Sequence, residues 1–128
     1  HALQQRIRLL HSDGLQALAA PQHCYDLILC NPPYVNSASM QALPAEYRAE
    51  PELALAGGED GMDFIRPLLA RLPDFLSERG VLVLEIGHEA AYFETAFPHL
   101  NPVWLDTSAG DRQVLLLTRE ALKDTPAP

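Results

Sequence analysis

Cysteine is scarce in this chain: its 128 residues hold two, Cys24 and Cys30. They stand six positions apart on one strand-like run, same face but too distant to bridge. Two thiols make neither a disulfide framework nor a zinc set. Buried, reduced structural thiols are expected, consistent with a cytoplasmic protein. Long apolar runs are lacking too: none approaches the roughly 20 residues that span a bilayer. No secretory pattern opens the chain. Basic residues are few, 9 Lys and Arg against 17 Asp and Glu, for a formal net charge of −8. That balance weighs against a nucleic-acid footprint, which wants a basic face. It fits a basic partner instead. Internal repeats and low-complexity segments are absent.

What is present suits one globular domain: 128 residues, 48% hydrophobic and 20% charged. The chain begins at His1, in the middle of what reads as a strand approach, and is expected to be a piece of something longer. Its most informative stretch runs from Cys24 to Tyr34. Tyr25 to Cys30 reads as a buried parallel strand, continuous in apolar character with β-branched Ile28 near its middle. Asn31-Pro32-Pro33-Tyr34 cannot continue a ladder, because neither proline has an N–H to donate. The strand therefore ends by presenting Asn31 and two carbonyls at its carboxyl edge, where ligands sit in open α/β sheets.

Around this stretch, Ile7 to His11 reads as a first short strand. Asp13 follows at its carboxyl end, where a carboxylate could contact a ligand. The alternative, and the favoured one, is that Ser12 or Asp13 caps a short helical turn carrying Leu15 and Leu18. Pro21-Gln22-His23 breaks that turn. The segment from Val35 to Gly61 shows few period signals, and a loop so long inside a small domain reads as a binding loop or lid. Five carboxylates lie between Glu46 and Asp60 against one arginine, Arg48. Either this is a solvated acidic loop or it is a landing surface for a basic protein. Gly57-Gly58-x-x-Gly61 lacks the full nucleotide fingerprint and reads instead as a tight turn with positive φ angles.

A helix is expected from about Asp63 to Glu78, with Ile65, Leu68, Leu69, Leu72 and Leu76 on one stripe, kinked at Pro73 and closed by Arg79 and Gly80. Val81 to Gly87 is the next buried strand, and Glu85 near its end is either at the site or paired in the sheet edge, the site being favoured because it sits at the carboxyl end. A short helix stacks Phe93 on Phe97. Val103–Asp106 and Arg112–Thr118 form a hairpin, and Asp124 to Pro128 is a tail. The class is α/β.

Two motifs then carry a resemblance. Asn31-Pro32-Pro33-Tyr34 after an apolar strand resembles the catalytic motif of class I S-adenosylmethionine-dependent methyltransferases that modify a planar nitrogen. Alone, it leaves adenine in DNA, guanine in RNA and protein amides open. The run Leu43-Pro44-x-Glu46-Tyr47-Arg48-x-Glu50-Pro51-Glu52-Leu53-Ala54-Leu55-Ala56-Gly57-Gly58-x-Asp60-Gly61 is similar to the protein-(glutamine-N5) methyltransferase family. Its Leu-Pro-x-Glu-Tyr-Arg-x-Glu-Pro part is most similar to the branch that modifies ribosomal protein L3. The branch acting on release factors shares the Glu-Pro and Gly-Gly-x-Asp-Gly parts. The resemblance runs from about Ile7 to Leu122.

It implies the C-terminal part of a Rossmann-like sheet, mostly parallel, with an antiparallel C-terminal hairpin. Residues 1–122 would form a partial catalytic domain and 123–128 a flexible tail. In the family strand order 3-2-1-4-5-7-6, this chain would hold strands 3 to 7. The Gly-rich cofactor loop, the acidic residue ending strand 2 and an N-terminal substrate-binding region would precede it. The motif strand would then have an unpaired edge, open to self-association. The implied cofactor is S-adenosylmethionine, contacted by Asn31 and Asp13, with no metal. The implied catalytic residues are Asn31, Pro32 and Tyr34, which with Pro33 also hold the substrate amide of a basic protein, ribosomal protein L3. Alternatives are release-factor methylation, adenine-N6 methylation of DNA (which the charge opposes), and a fragment inactive without its cofactor loop.

Overall fold

A computed structural model describes residues 6–18, 24–43 and 50–123. The first regular element is strand β1, Tyr25–Cys30, and the next are two short helices, α1 (Ser37–Ala42) and α2 (Glu52–Leu55). Helix α3 (Ile65–Arg71) passes through a single 3₁₀ turn, Leu72–Asp74, into strand β2 (Leu76–Glu85). Helix α4 (Ala90–Ala96), strands β3 (Val103–Thr107) and β4 (Gly110–Thr118), and helix α5 (Arg119–Leu122) complete the order. The four strands form one sheet in the order β1-β2-β4-β3. β1 runs parallel to β2, and the other two pairings are antiparallel. The α/β class holds, and the sheet is mixed: the order matches the 4-5-7-6 segment of the expected topology.

Several expectations are corrected. Ile7 to His11 is not a strand but exposed irregular chain. A strand needs a ladder neighbour to satisfy its backbone groups, and none of the described strands pairs with it. The long helix stops early, because Pro73 removes an N–H from the α pattern and the turn tightens to 3₁₀. Leu76, Arg79 and Gly80 consequently belong to β2. The segment from Val35 to Gly61 is more ordered than its period suggests, since it carries α1 and α2. Pro21 to His23, Glu46, Tyr47, Arg48 and the tail from Asp124 lie outside the described residues. The hairpin forms as expected, with Thr107 opposite Gly110 across a two-residue bend.

The core lies on one face of the sheet. Leu82 and Leu84 of β2 align with Leu117 and Leu115 of β4 and are fully buried, together with Ile65 and Leu69 of α3, Phe93 of α4 and Leu122 of α5. Phe93 meets Phe97 at 4.9 Å and Trp104 edge-on at 6.3 Å. The opposite face is apolar but thinly covered. Leu27 and Leu29 of β1, aligned with Val81 and Val83, are 53% and 71% exposed. So β1 is buried on one side only, through Ile28 and Cys30, and not on both as its sequence suggests. Its outer edge pairs with no other described strand.

Candidate active site

At the carboxyl end of β1 the chain leaves the sheet, as the two prolines require. Asn31 is exposed, Pro32 is buried, and Pro33, Tyr34 and Val35 are half-buried. No described residue hydrogen-bonds the Asn31 side chain, so its amide is available at the strand edge. Val35 forms a bridge with Ala56: its N–H donates to Leu55 O at 2.8 Å, and the Gly57 N–H donates to its carbonyl at 2.9 Å. Ser37 then donates through both N–H (2.9 Å) and Oγ (3.0 Å) to the carbonyl of Gly58. The glycine run thus closes directly behind the Asn-Pro-Pro-Tyr segment.

Gly61 shows why that turn needs its glycines. At φ +80°, a Cβ there would lie 2.2 Å from the carbonyl oxygen of Tyr34. Gly87, at φ +51°, lies against the Tyr34 ring, and a Cβ there would come within 2.7 Å of Cε2. The Tyr34 hydroxyl also donates to Glu85 Oε1 at 3.3 Å, a long contact for an O–H donor. Glu85 therefore reaches the site, as its place at the end of a strand suggested.

These groups border a cavity of about 670 Å³, lined by Asn31, Pro32, Tyr34, Glu50, Glu85, His88, Glu89 and Gln113 among others. Its size falls within the roughly 300–1,000 Å³ of small-molecule sites. The wall carries three carboxylates and, among the described residues, no Lys or Arg. Such a wall suits a sulfonium cation and a neutral amide, so the methyl-donor end of S-adenosylmethionine fits the residues present. Among the described residues, no group of three or more His, Cys, Asp or Glu side chains is placed to hold a metal ion. No described helix is long and apolar enough to cross a membrane.

Asp13 is not brought together with Asn31. It borders a separate, smaller cavity of about 160 Å³ with Phe64, Pro67 and Arg71. Ser12 Oγ accepts the Ala17 N–H at 2.8 Å, and Asp13 Oδ2 accepts from Gln16 Nε2 at 3.1 Å. Ser12 thus ties the following turn through a backbone N–H, while Asp13 meets only a neighbouring side chain. Within the acidic loop, Glu50, Glu52 and Glu59 are exposed, whereas Asp60 is engaged. It accepts the Met62 N–H at 3.0 Å and pairs with Arg66.

The Arg66 side-chain hydrogen bond holds the Asp60 carboxyl below the usual carboxylate range. A depressed folded pKa makes this group fully stabilising above its ordinary value, and the contribution is lost as pH falls on through the depressed one. The pair is partly exposed, so Asp60→Asn should cost no more than about 1 kcal/mol at pH 7. The difference from wild type should shrink as pH falls below the ordinary carboxylate range, readable from denaturant melts at pH 7 and in acid.

Cys24 is exposed and Cys30 half-buried, which corrects the expectation that both thiols are interior. Burial pushes the Cys30 thiol up to about 11 from 9.0. Two units less acidic, Cys30 should alkylate about a hundredfold more slowly at pH 8 than an unperturbed thiol, as timed by mass spectrometry.

Sequence reasoning missed one feature. Asn36 and Glu89, both 5% exposed, join across the cavity wall, with Asn36 Nδ2 2.9 Å from each Glu89 oxygen. Asn36 could be read as a helix N-cap, which it is, through Ser39 N–H at 2.8 Å. Nothing local announces its second partner.

No family model matches the chain. Curated proteins do. The chain is 61% identical over 122 residues to the ribosomal protein uL3 glutamine methyltransferase of Bordetella pertussis, covering 95% of this chain and 40% of that protein. It is 51% identical over 122 residues to the protein of the same name from Burkholderia pseudomallei, covering 91% and 40%. Against that of Neisseria meningitidis serogroup A it is 49% identical, covering 95% and 39%. The chain thus spans about 40% of the length of the curated relatives it matches.

Proposed function

Over the length it spans, the chain belongs to the protein-(glutamine-N5) methyltransferase family, and on that premise we propose how its site takes part in the reaction. The parent protein transfers a methyl group to the side-chain nitrogen of a glutamine in ribosomal protein L3, in the cytoplasm. The observation that carries this reading is an asparagine amide that no described residue engages, at a strand's carboxyl end beside a buried proline and an aromatic ring, on a cavity with no Lys or Arg among its described lining residues.

A glutamine nitrogen is a poor nucleophile because its lone pair is delocalised into the carbonyl. It reacts only if it is held close and turned so that the lone pair faces the electrophile. Asn31 Oδ1 and the Pro32 carbonyl supply two acceptors, one for each amide N–H. Proline at 32 biases Asn31 toward extended backbone, and Pro33 does the same to Pro32, so the acceptors are set without a sheet neighbour. Tyr34 offers its ring to the planar amide. S-adenosylmethionine, when bound, supplies an electrophilic methyl on a sulfonium. Asn31 and the wall carboxylates Glu50 and Glu85 are the residues here that would lie beside it, whereas Glu89 is held by Asn36, and Asp13, in its own cavity, is left out of that assignment. No strong base is needed, because the methylated amide can release its proton to water late.

The exposed carboxylates Glu50, Glu52 and Glu59 favour a basic substrate through long-range attraction. With a net charge of −8, a nucleic-acid substrate is not favoured. The test is methyl transfer by the full-length protein from a labelled donor, offered ribosomal protein L3 and a release factor in parallel. Label on a glutamine of the ribosomal protein alone is the expected result, and label on neither protein contradicts the proposal. Raising salt should slow the reaction mainly through KM, as screening weakens the attraction.

A further inference from the structure

Two asparagines flank Tyr34, and the fold uses them in opposite ways. No described residue engages the Asn31 amide. Asn36 is buried and uses every polar atom of its side chain: Nδ2 donates to both oxygens of Glu89, and Oδ1 accepts the Ser39 N–H. Glu89 directly precedes α4 but makes no side-chain cap there. It turns instead toward Asn36, 53 positions away in sequence. Three alternate residues of one segment thereby meet the motif: Glu85 takes the Tyr34 hydroxyl, Gly87 backs the Tyr34 ring, and Glu89 takes Asn36. A buried carboxylate held by a neutral amide is an expensive way to join two segments, since apolar residues of similar volume commonly serve as well. What such a pair adds over apolar packing is direction.

We propose that Glu89 is a positioning residue: through Asn36 it fixes the chain leaving Tyr34, and so the direction in which Asn31 and Pro32 present their acceptors to the amide. The proposal rests on the amide-methylation reading above. Donor and acceptor can be exchanged across this contact, which makes the claim testable by reversal. In Glu89→Gln, one Asn36 N–H faces an amide NH₂. In Asn36→Asp, two carboxylates face each other in a buried gap. In the double variant the new amide donates to the new carboxylate, whose second oxygen can still accept from Ser39.

The experiment measures kcat, KM for the protein substrate, donor affinity and melting temperature for the full-length wild type, both single variants and the double. Each single variant should lose about tenfold or more in kcat with donor affinity unchanged. The double should recover to within about threefold of wild type. Singles that keep wild-type kcat, a double no faster than its slower parent, or kcat losses that merely follow the unfolded fraction each overturn the positioning role. A wild type that methylates no glutamine overturns the amide reading itself, and this role with it. A methylating wild type whose variants keep their rate overturns this role alone.

Discussion

Replacing Asn31 by alanine should lower the rate of glutamine methylation by about a thousandfold while the melting temperature stays within about two degrees. The two halves of that expectation come from the same observation. Asn31 is exposed and its side chain bonds no described residue, so its removal orphans no buried group and opens no cavity. On the proposed reading, what it contributes to the reaction is one acceptor for an amide N–H, with the orientation that acceptor imposes, next to the methyl donor. Without it the amide keeps only the Pro32 carbonyl and can rotate about that single bond. Single-turnover transfer by the full-length protein, beside a thermal melt, separates the outcomes. A rate within about threefold of wild type would remove Asn31 from the reaction, and a large fall in melting temperature would make it a structural residue.

The largest expected effect on stability is at Gly61. Gly61→Ala places a methyl carbon 2.2 Å from the carbonyl oxygen of Tyr34, on a residue already at φ +80°. That contact is with backbone, which cannot rotate aside as a side chain would. Either the glycine turn opens or the Tyr34 peptide moves. Loss of about 3 kcal/mol or more is expected, combining the strain of a left-handed conformation with a steric overlap. Because Val35 and Ser37 are hydrogen-bonded to the same turn, activity should fall even at temperatures where the variant remains folded. A control at exposed Glu59, Glu59→Ala, should stay within about 0.5 kcal/mol of wild type by urea melts.

Legibility in the sequence followed the range of the forces involved. The strand ending at Cys30 and its abrupt stop were readable because apolar continuity and two missing N–H groups act locally. Glu85 was readable for a similar reason: a carboxylate at the end of an aliphatic run has few neighbours to excuse it. The helix predicted to Glu78 was not, since Leu72 and Leu76 keep helical spacing and are both buried, although Leu76 already lies in β2. Periodicity recorded burial correctly and backbone wrongly. Ile7 to His11 has strand composition, but composition cannot supply a ladder neighbour. For β1, an apolar run could not say whether one face or two would be covered. Asn36 and Glu89 were the least legible of all, because each has an ordinary local explanation and the pairing exists only after β2 has been laid beside β1.

The central claim is that Asn31 and Pro32 hold a glutamine amide for methyl transfer. Its most direct test is the site of the product methyl, mapped by mass spectrometry after the full-length protein and its Asn31→Ala variant act on ribosomal protein L3. The predicted result is a methyl on the side-chain nitrogen of one glutamine with the wild type and, at equal time, almost none with the variant. A methyl on any other residue type, or on the same glutamine to the same extent in both reactions, would contradict it.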